Sequence, residues 1–185
     1  MRKITAFFML SVVEAQVLAG PVIPFNITAV ETIHSRFTPD LRINYKKYTV
    51  DQNIDLRAHT GHLNFTVYPA YAEVYPAVFE KIFKGPQVMD VKTYPTITFV
   101  STKINFTKED EANSLEGILT VHGKSIPVVY AKDSFDCKFN AQRKRTCVIK
   151  FTAPFDRTKV GINYGLNLGL DRQAPIHVGL AFVEK

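Results

Sequence analysis

Residues 90 to 103, DVKTYPTITFVSTK, pass from a Tyr-Pro step into a run built almost wholly of Thr, Ile, Phe, Val and Ser. Such β-branched and aromatic side chains suit a pleated strand, and Pro95 removes a ladder donor only where the strand begins. The pattern predicts a strand over Thr96 to Lys103. Period-two alternation puts Ile97, Phe99 and Ser101 on one face and Thr96, Thr98, Val100 and Thr102 on the other. The same alternation recurs with Leu63, Phe65 and Val67 in HLNFTVYP and with Leu119 and Val121 in GILTVHG. It recurs again with Ile149, Phe151, Ala153 and Phe155 in VIKFTAPF, and with Ile176, Val178, Leu180 and Phe182 near the end of the chain. Strands with one apolar face each, separated by turn signals such as KEDEANS and HGKS, predict an all-β antiparallel sandwich or barrel. One segment departs. In EVYPAVFEKIFKG, Val74, Val78, Ile82 and Phe83 recur at helical spacing, with Pro76 near the start and Gly85 after the end, which predicts a short helix capping one mouth.

The chain has 185 residues, 46% apolar and 22% charged, enough for one domain with a real core and too apolar for a disordered chain. Arg2 and Lys3 precede the apolar run ITAFFMLSVV, and small residues follow at Ala15, Ala19 and Gly20, the pattern of a secretory signal peptide. Cleavage is expected after Ala19, with Ala15 as the alternative, leaving residues 20 to 185 as one domain and a periplasmic or secreted location. The run is shorter than the ~20 apolar residues that a membrane span requires. Loss of Arg2, Lys3 and Glu14 takes the formal charge from +6 to +5. That mild excess is scattered except in QRKR at 142 to 145, so nucleic acid is not an expected partner. Contact with a membrane surface remains open.

Two cysteines, Cys137 and Cys147, flank KFNAQRKRT; in an exported chain an even count favours a disulfide. A fold-back about Ala141 to Gln142 would set them opposite each other in a hairpin with a charged tip. Catalytic patterns are sparse. His59 and His62 have an H-x-x-H look, but residues three apart in extended chain face opposite sides, which argues against a metal pair. There is no G-x-S-x-G step, and a bonded cysteine is no nucleophile. No catalytic residue, metal or cofactor is therefore expected. Asn26, Asn64 and Asn105 each open an Asn-x-Thr triplet, which Thr-rich strands also produce by chance.

FEKIFKGPQVMDVKTYPTITFVSTK resembles the signature of the YceI-like family of exported lipocalin-like proteins, in which a short helical stretch leads into an Asp-Val-x-x-Tyr-Pro-Thr-Ile-x-Phe strand. Residues 33 to 37 (IHSRF), 115 to 123 (LEGILTVHG) and Phe155-Asp156-Arg157 before Gly161 agree in order and spacing. Val88-Met89 stands where the family usually has two Phe, and Lys159-Val160 replaces its usual Asp-Phe. The resemblance implies a lipocalin-like extended antiparallel barrel of about eight strands, whose lumen holds a polyisoprenoid or similar long-chain lipid in some members. Barrels of that size either hold one small ligand or fill with side chains.

On this reading Phe65, Val67, Ile97, Phe99, Leu119, Val121, Phe151, Phe155, Leu180 and Phe182 would line the lumen, although a solid core would show the same alternation. Burying each ligand CH₂ is worth ~0.8 kcal/mol, so a long tail binds without hydrogen bonds. A polar head would lie at a mouth. Arg157, which shares the parity of Ile149 to Phe155, is the first candidate to receive it, and His34 the second; alternatively Arg157 pairs with Asp156 or Asp171 and pins the strand end. The expected function is that of an exported carrier or sequestering protein without chemistry of its own. A lipocalin-like enzyme acting on a lipid and a structural envelope or stress protein are the alternatives, and a homodimer is left open.

Overall fold

The computed structural model describes residues 30–33, 40–139, 143 and 145–183, so the expected signal peptide and His34 lie outside the described residues. Ten strands and one helix follow in order: β1 (Val30–Ile33), β2 (Leu41–Tyr45), β3 (Tyr48–Asp55), β4 (Thr60–Val67), β5 (Ala72–Tyr75), α1 (Glu80–Lys84), β6 (Ile97–Phe106), β7 (Ala112–Val121), β8 (Lys124–Phe139), β9 (Arg145–Ala153) and β10 (Ile176–Val183). Seven of them form one antiparallel sheet in the order β10-β9-β8-β7-β6-β4-β3, and β1-β2-β5 form a second. The seven-stranded sheet curls into a nearly closed barrel, the form taken here by the expected barrel of about eight strands.

The second sheet is an extension of the first. β2 runs into β3 through Lys46 and Lys47, and β4 runs into β5 through residues 68 to 71. Both segments turn at the same level, where the Tyr68 amide donates to the Lys47 carbonyl at 3.0 Å. The Lys47 ammonium lies 5.1 Å from the Tyr68 ring centroid and 4.4 Å from that of Tyr71, so the cation fastens the bend from outside. β1 pairs with β2 and packs beside β10. The edges β3 and β10 are joined by a side chain: Gln52 Nε2 donates to the Ala181 carbonyl at 3.4 Å.

Curvature has local causes. The β6–β7 register slips between Ser101 and Lys103, directly opposite Gly117. A Cβ on Gly117 would fall 2.4 Å from Phe99 Cζ and 2.4 Å from the Val100 carbonyl, so only glycine lets the Phe99 ring lie over β7. Beyond Asn64 the β4–β6 ladder ends, and side chains take over: Ser101 Oγ accepts from the Leu63 amide and Asn64 Oδ1 from the Ser101 amide. A polar Ser on the inward face thereby has a structural task.

The expected helix is shorter than its periodicity suggests. Proline disfavours helical geometry in the residue before it. Residues Ala72 to Tyr75 accordingly stay extended as β5, with Val74 opposite Ile43. A 3₁₀ turn over Ala77–Phe79 then leads into α1. Val78 is 75% exposed, whereas Phe83 is buried. Helical spacing therefore placed Ile82 and Phe83 correctly and Val74 and Val78 in the wrong element.

Cys137 and Cys147 are register partners in the β8–β9 hairpin and form a disulfide, closing a loop with a sequence separation of 10. In the chain-entropy account such a loop contributes about 2 to 3 kcal/mol. Replacing both cysteines by serine should lower the free energy of unfolding measured in urea by that amount. Because the staple lies at the hairpin end, retention of any bound apolar molecule should be unchanged, as native mass spectrometry would record.

Candidate functional site

Two apolar cavities occupy the interior. The first lies between the β2–β5 sheet, α1 and the loop after β9, lined by Leu41, Ile43, Val74, Phe79, Ile82, Phe83, Val88, Met89, Arg157, Ile162, Tyr164 and Leu170. The second lies inside the seven-stranded barrel, lined by Tyr45, Phe65, Val67, Met89, Ile97, Leu119, Val121, Tyr130, Phe155, Ile176 and Val178. Each has a volume of about 30 Å³. Both are narrow slots in an otherwise packed interior. Met89 is a wall of both. The rings of Tyr45 in one cavity and Phe83 in the other face each other across the same partition, with centroids 6.4 Å apart.

Of the expected lumen residues, Phe65, Val67, Ile97, Leu119, Val121 and Phe155 lie on the second cavity. Phe99, Phe151, Leu180 and Phe182 do not; they are buried in the core beside it. Phe99 stacks on Phe65 at 5.1 Å and meets Tyr130 edge-on at 5.2 Å, so the aromatic centre of this part of the barrel is filled with protein. The lumen is thus part slot and part solid core.

The first cavity was not expected from alternation, because its wall comes largely from loops. The available signal was the apolar content of GINYGLNLGL, residues 161 to 170, which is high for a connection. That loop is held by Arg157. The β9–β10 ladder continues past Ala153 through Ala174 donating to the Phe155 carbonyl at 2.8 Å and Arg157 to the Arg172 carbonyl at 3.2 Å. From there the Arg157 side chain, 2% exposed, reaches into the loop. Its Nε donates to the Asp171 carbonyl at 2.7 Å, Nη1 to those of Ile162 at 3.3 Å and Tyr164 at 2.6 Å, and Nη2 to that of Leu170 at 3.3 Å. A guanidinium can satisfy several carbonyls at once because its donors are fixed in one plane. Gly165 permits the turn: its φ is +75°, and a Cβ there would fall 2.3 Å from Leu170 Cδ1.

Arg157 lines the first cavity, but its hydrogen bonds go to the loop backbone. It is a strut of the cavity wall. Of the two carboxylate partners weighed for it from the sequence, Asp171 meets it through its main-chain carbonyl, and Asp156 accepts from the Thr158 amide at 3.0 Å and hydroxyl at 2.7 Å and lies 2.9 Å from Arg172 Nη2. The Thr158 hydroxyl above all, with the Thr158 amide and the Arg172 cation, holds the Asp156 carboxyl below the usual carboxylate range. His59 and His62 are not brought together on a ligand: His59 Nε2 lies 2.8 Å from Asp110 and His62 Nε2 3.1 Å from Asp51. Among the described residues no group of three or more His, Cys, Asp or Glu is placed to hold a metal ion. None of their helices is long and apolar enough to cross a membrane.

A barrel of seven strands with an apolar interior, a short helix beside one cavity and an Asp-Arg step at its floor agrees with a family pattern that spans the domain: the YceI-like domain model matches residues 24–182. The chain belongs to the YceI-like family. Among solved structures it is similar to the Campylobacter jejuni YceI protein, at 16% identity over 98% of this chain and 99% of that one, with a TM-score of 0.65. It is likewise similar to Burkholderia cenocepacia BcnA, at 20% identity over 83% of this chain and 95% of that one, with a TM-score of 0.64. Such identities show a shared YceI-like fold. Among curated proteins, none matches the chain.

Two outcomes test the Asp156–Arg157 step of this YceI-like fold. Arg157→Met keeps most of the volume but leaves four carbonyls without their charged donor, and should cost at least about 3 kcal/mol in urea unfolding. For Asp156 the folded-state pKa lies below the unfolded one, so its contribution is present above pH about 4 and is lost as pH falls through the folded value. Asp156→Asn should therefore melt below wild type at pH 7, and the difference should shrink as the melts are repeated below about pH 4.

Proposed function

We propose that the protein is an exported lipid-binding barrel that holds a long apolar molecule, polyisoprenoid or acyl chain, as a carrier or sequestering protein and without catalysis. The observation that carries this reading is the pair of apolar cavities meeting at Met89. A folded interior normally closes such spaces, because each unfilled volume forfeits contacts of the side chains around it. Two adjoining slots, one of them walled by a loop that takes four hydrogen bonds from Arg157 to hold in place, are what a chain would keep to admit a tail. The disulfide supports an oxidising, periplasmic or secreted location. Family membership supports the same reading.

Binding on this account is partition, at ~0.8 kcal/mol per buried CH₂, with little discrimination along the tail. Native mass spectrometry of freshly purified protein should show a co-purified lipid that dissociates on activation; a bare chain mass under all conditions would overturn the reading. Two substitutions separate slot from core. Val121→Phe fills the second cavity and should abolish retention at a cost of about 1 to 3 kcal/mol. Phe99→Ala acts in the solid part and should cost about 3 to 5 kcal/mol of stability.

A further inference from the structure

Tyr130 carries a group that no described residue uses. It lies on the inward face of β8 opposite Leu115, is wholly buried, and lines the second cavity. Its ring is fixed by the edge-on contact with Phe99. Its hydroxyl, however, has no hydrogen-bond partner among the described residues. A buried phenol normally finds one, because leaving the donor unmade costs the desolvation of the group. An orphan donor at the wall of an apolar cavity is the complement of an acceptor that enters with a ligand.

From this we infer that the Tyr130 hydroxyl is an anchor inside the barrel for an uncharged acceptor oxygen, a carbonyl or ether, carried on the apolar body of the ligand. The inference rests on the lipid-binding reading and specifies which lipids the lumen prefers. Charge is excluded by the wall, since no residue lining this cavity bears one and burying an ionised head beside a single neutral donor is strongly unfavourable. The burial that raises the Tyr130 pKa keeps the phenol protonated and therefore a donor throughout the physiological range. Water there would find few partners. A buried water needs two to four polar partners. The side chains around this cavity offer only the hydroxyls of Tyr45 and Tyr130 and the thioether of Met89. The polar part of such a ligand then sits deep in the barrel rather than at the Arg157 end, where the guanidinium is engaged with the loop carbonyls.

The test compares 2-tridecanone with tridecane, which match in length and differ in one carbonyl oxygen, against wild type and Tyr130→Phe. Affinity is read by displacement of the fluorescent apolar probe N-phenyl-1-naphthylamine. The ketone-to-alkane affinity ratio should be roughly tenfold higher in wild type than in the variant, while alkane affinity stays level. Ligand-free Tyr130→Phe should melt at or above wild type, because the change removes an unpaired polar atom and leaves the ring in place. An unchanged ratio would overturn the Tyr130 assignment and leave the lipid-binding lumen standing. A ligand-free variant that melts below wild type would overturn it as well, by showing that the hydroxyl has a partner within the protein. Failure of both ligands to bind wild type would overturn the lumen and the anchor together.

Discussion

A sheet with one apolar face must enclose that face, and here the two edge strands β3 and β10 share no backbone ladder. The fold meets this constraint by length and bending. The β2–β3 and β4–β5 segments turn together at the Lys47–Tyr68 contact, which sets a second small sheet beyond the barrel and brings β1 beside β10. Gln52 spans the remaining seam by a side-chain bond to Ala181. The slip at Ser101 and the missing side chain at Gly117 let the central strands coil enough for the edges to approach. Without that closure the alternating residues would face water, and neither cavity would exist.

Enclosure alone makes a core; the slots come from unequal filling. Phe99, Phe151, Leu180 and Phe182 are buried in the core and line neither slot. The barrel slot is bounded in part by smaller side chains such as Val67, Val121 and Val178, and the other slot by the loop that Arg157 holds. Met89 stands between the two slots with three rotatable bonds and a polarizable sulfur, the side chain best suited to fit an irregular partition. Its backbone does not share that freedom. The Met89 amide donates to the Phe83 carbonyl at 3.0 Å, and that of Asp90 to the Gly85 carbonyl at 2.8 Å.

Two buried polar groups thus have opposite states in this interior. The Arg157 guanidinium is surrounded by carbonyl oxygens, and an ion so placed gives rigidity to a loop that would otherwise have many conformations. The Tyr130 hydroxyl has no partner among the described residues, which is tolerable for a neutral group in a domain stapled by a disulfide and laddered from β3 to β10.

The alternation of Phe65, Ile97, Phe99, Leu119, Ile149, Phe151 and Leu180 by itself determined that this chain is an antiparallel β protein with an enclosed apolar face, because side-chain direction in a strand is a local, period-two property. The cysteine spacing likewise determined the hairpin staple, since two residues flanking a short turn fall opposite each other in any tight hairpin. The tertiary structure decided what lies inside. Whether an inward Phe lines a slot or fills it depends on the volumes of residues far away in sequence, which is why Phe65 and Phe99 look alike as letters and differ as walls. Pro76 shortened the helix, although the apolar spacing on both of its sides is helical, because a proline restricts the residue before it. Arg157 was legible as a charged residue at a strand end, but its partners are main-chain carbonyls, identical in every residue, and only the path of the loop from Gly161 to Asp171 aims them at one guanidinium.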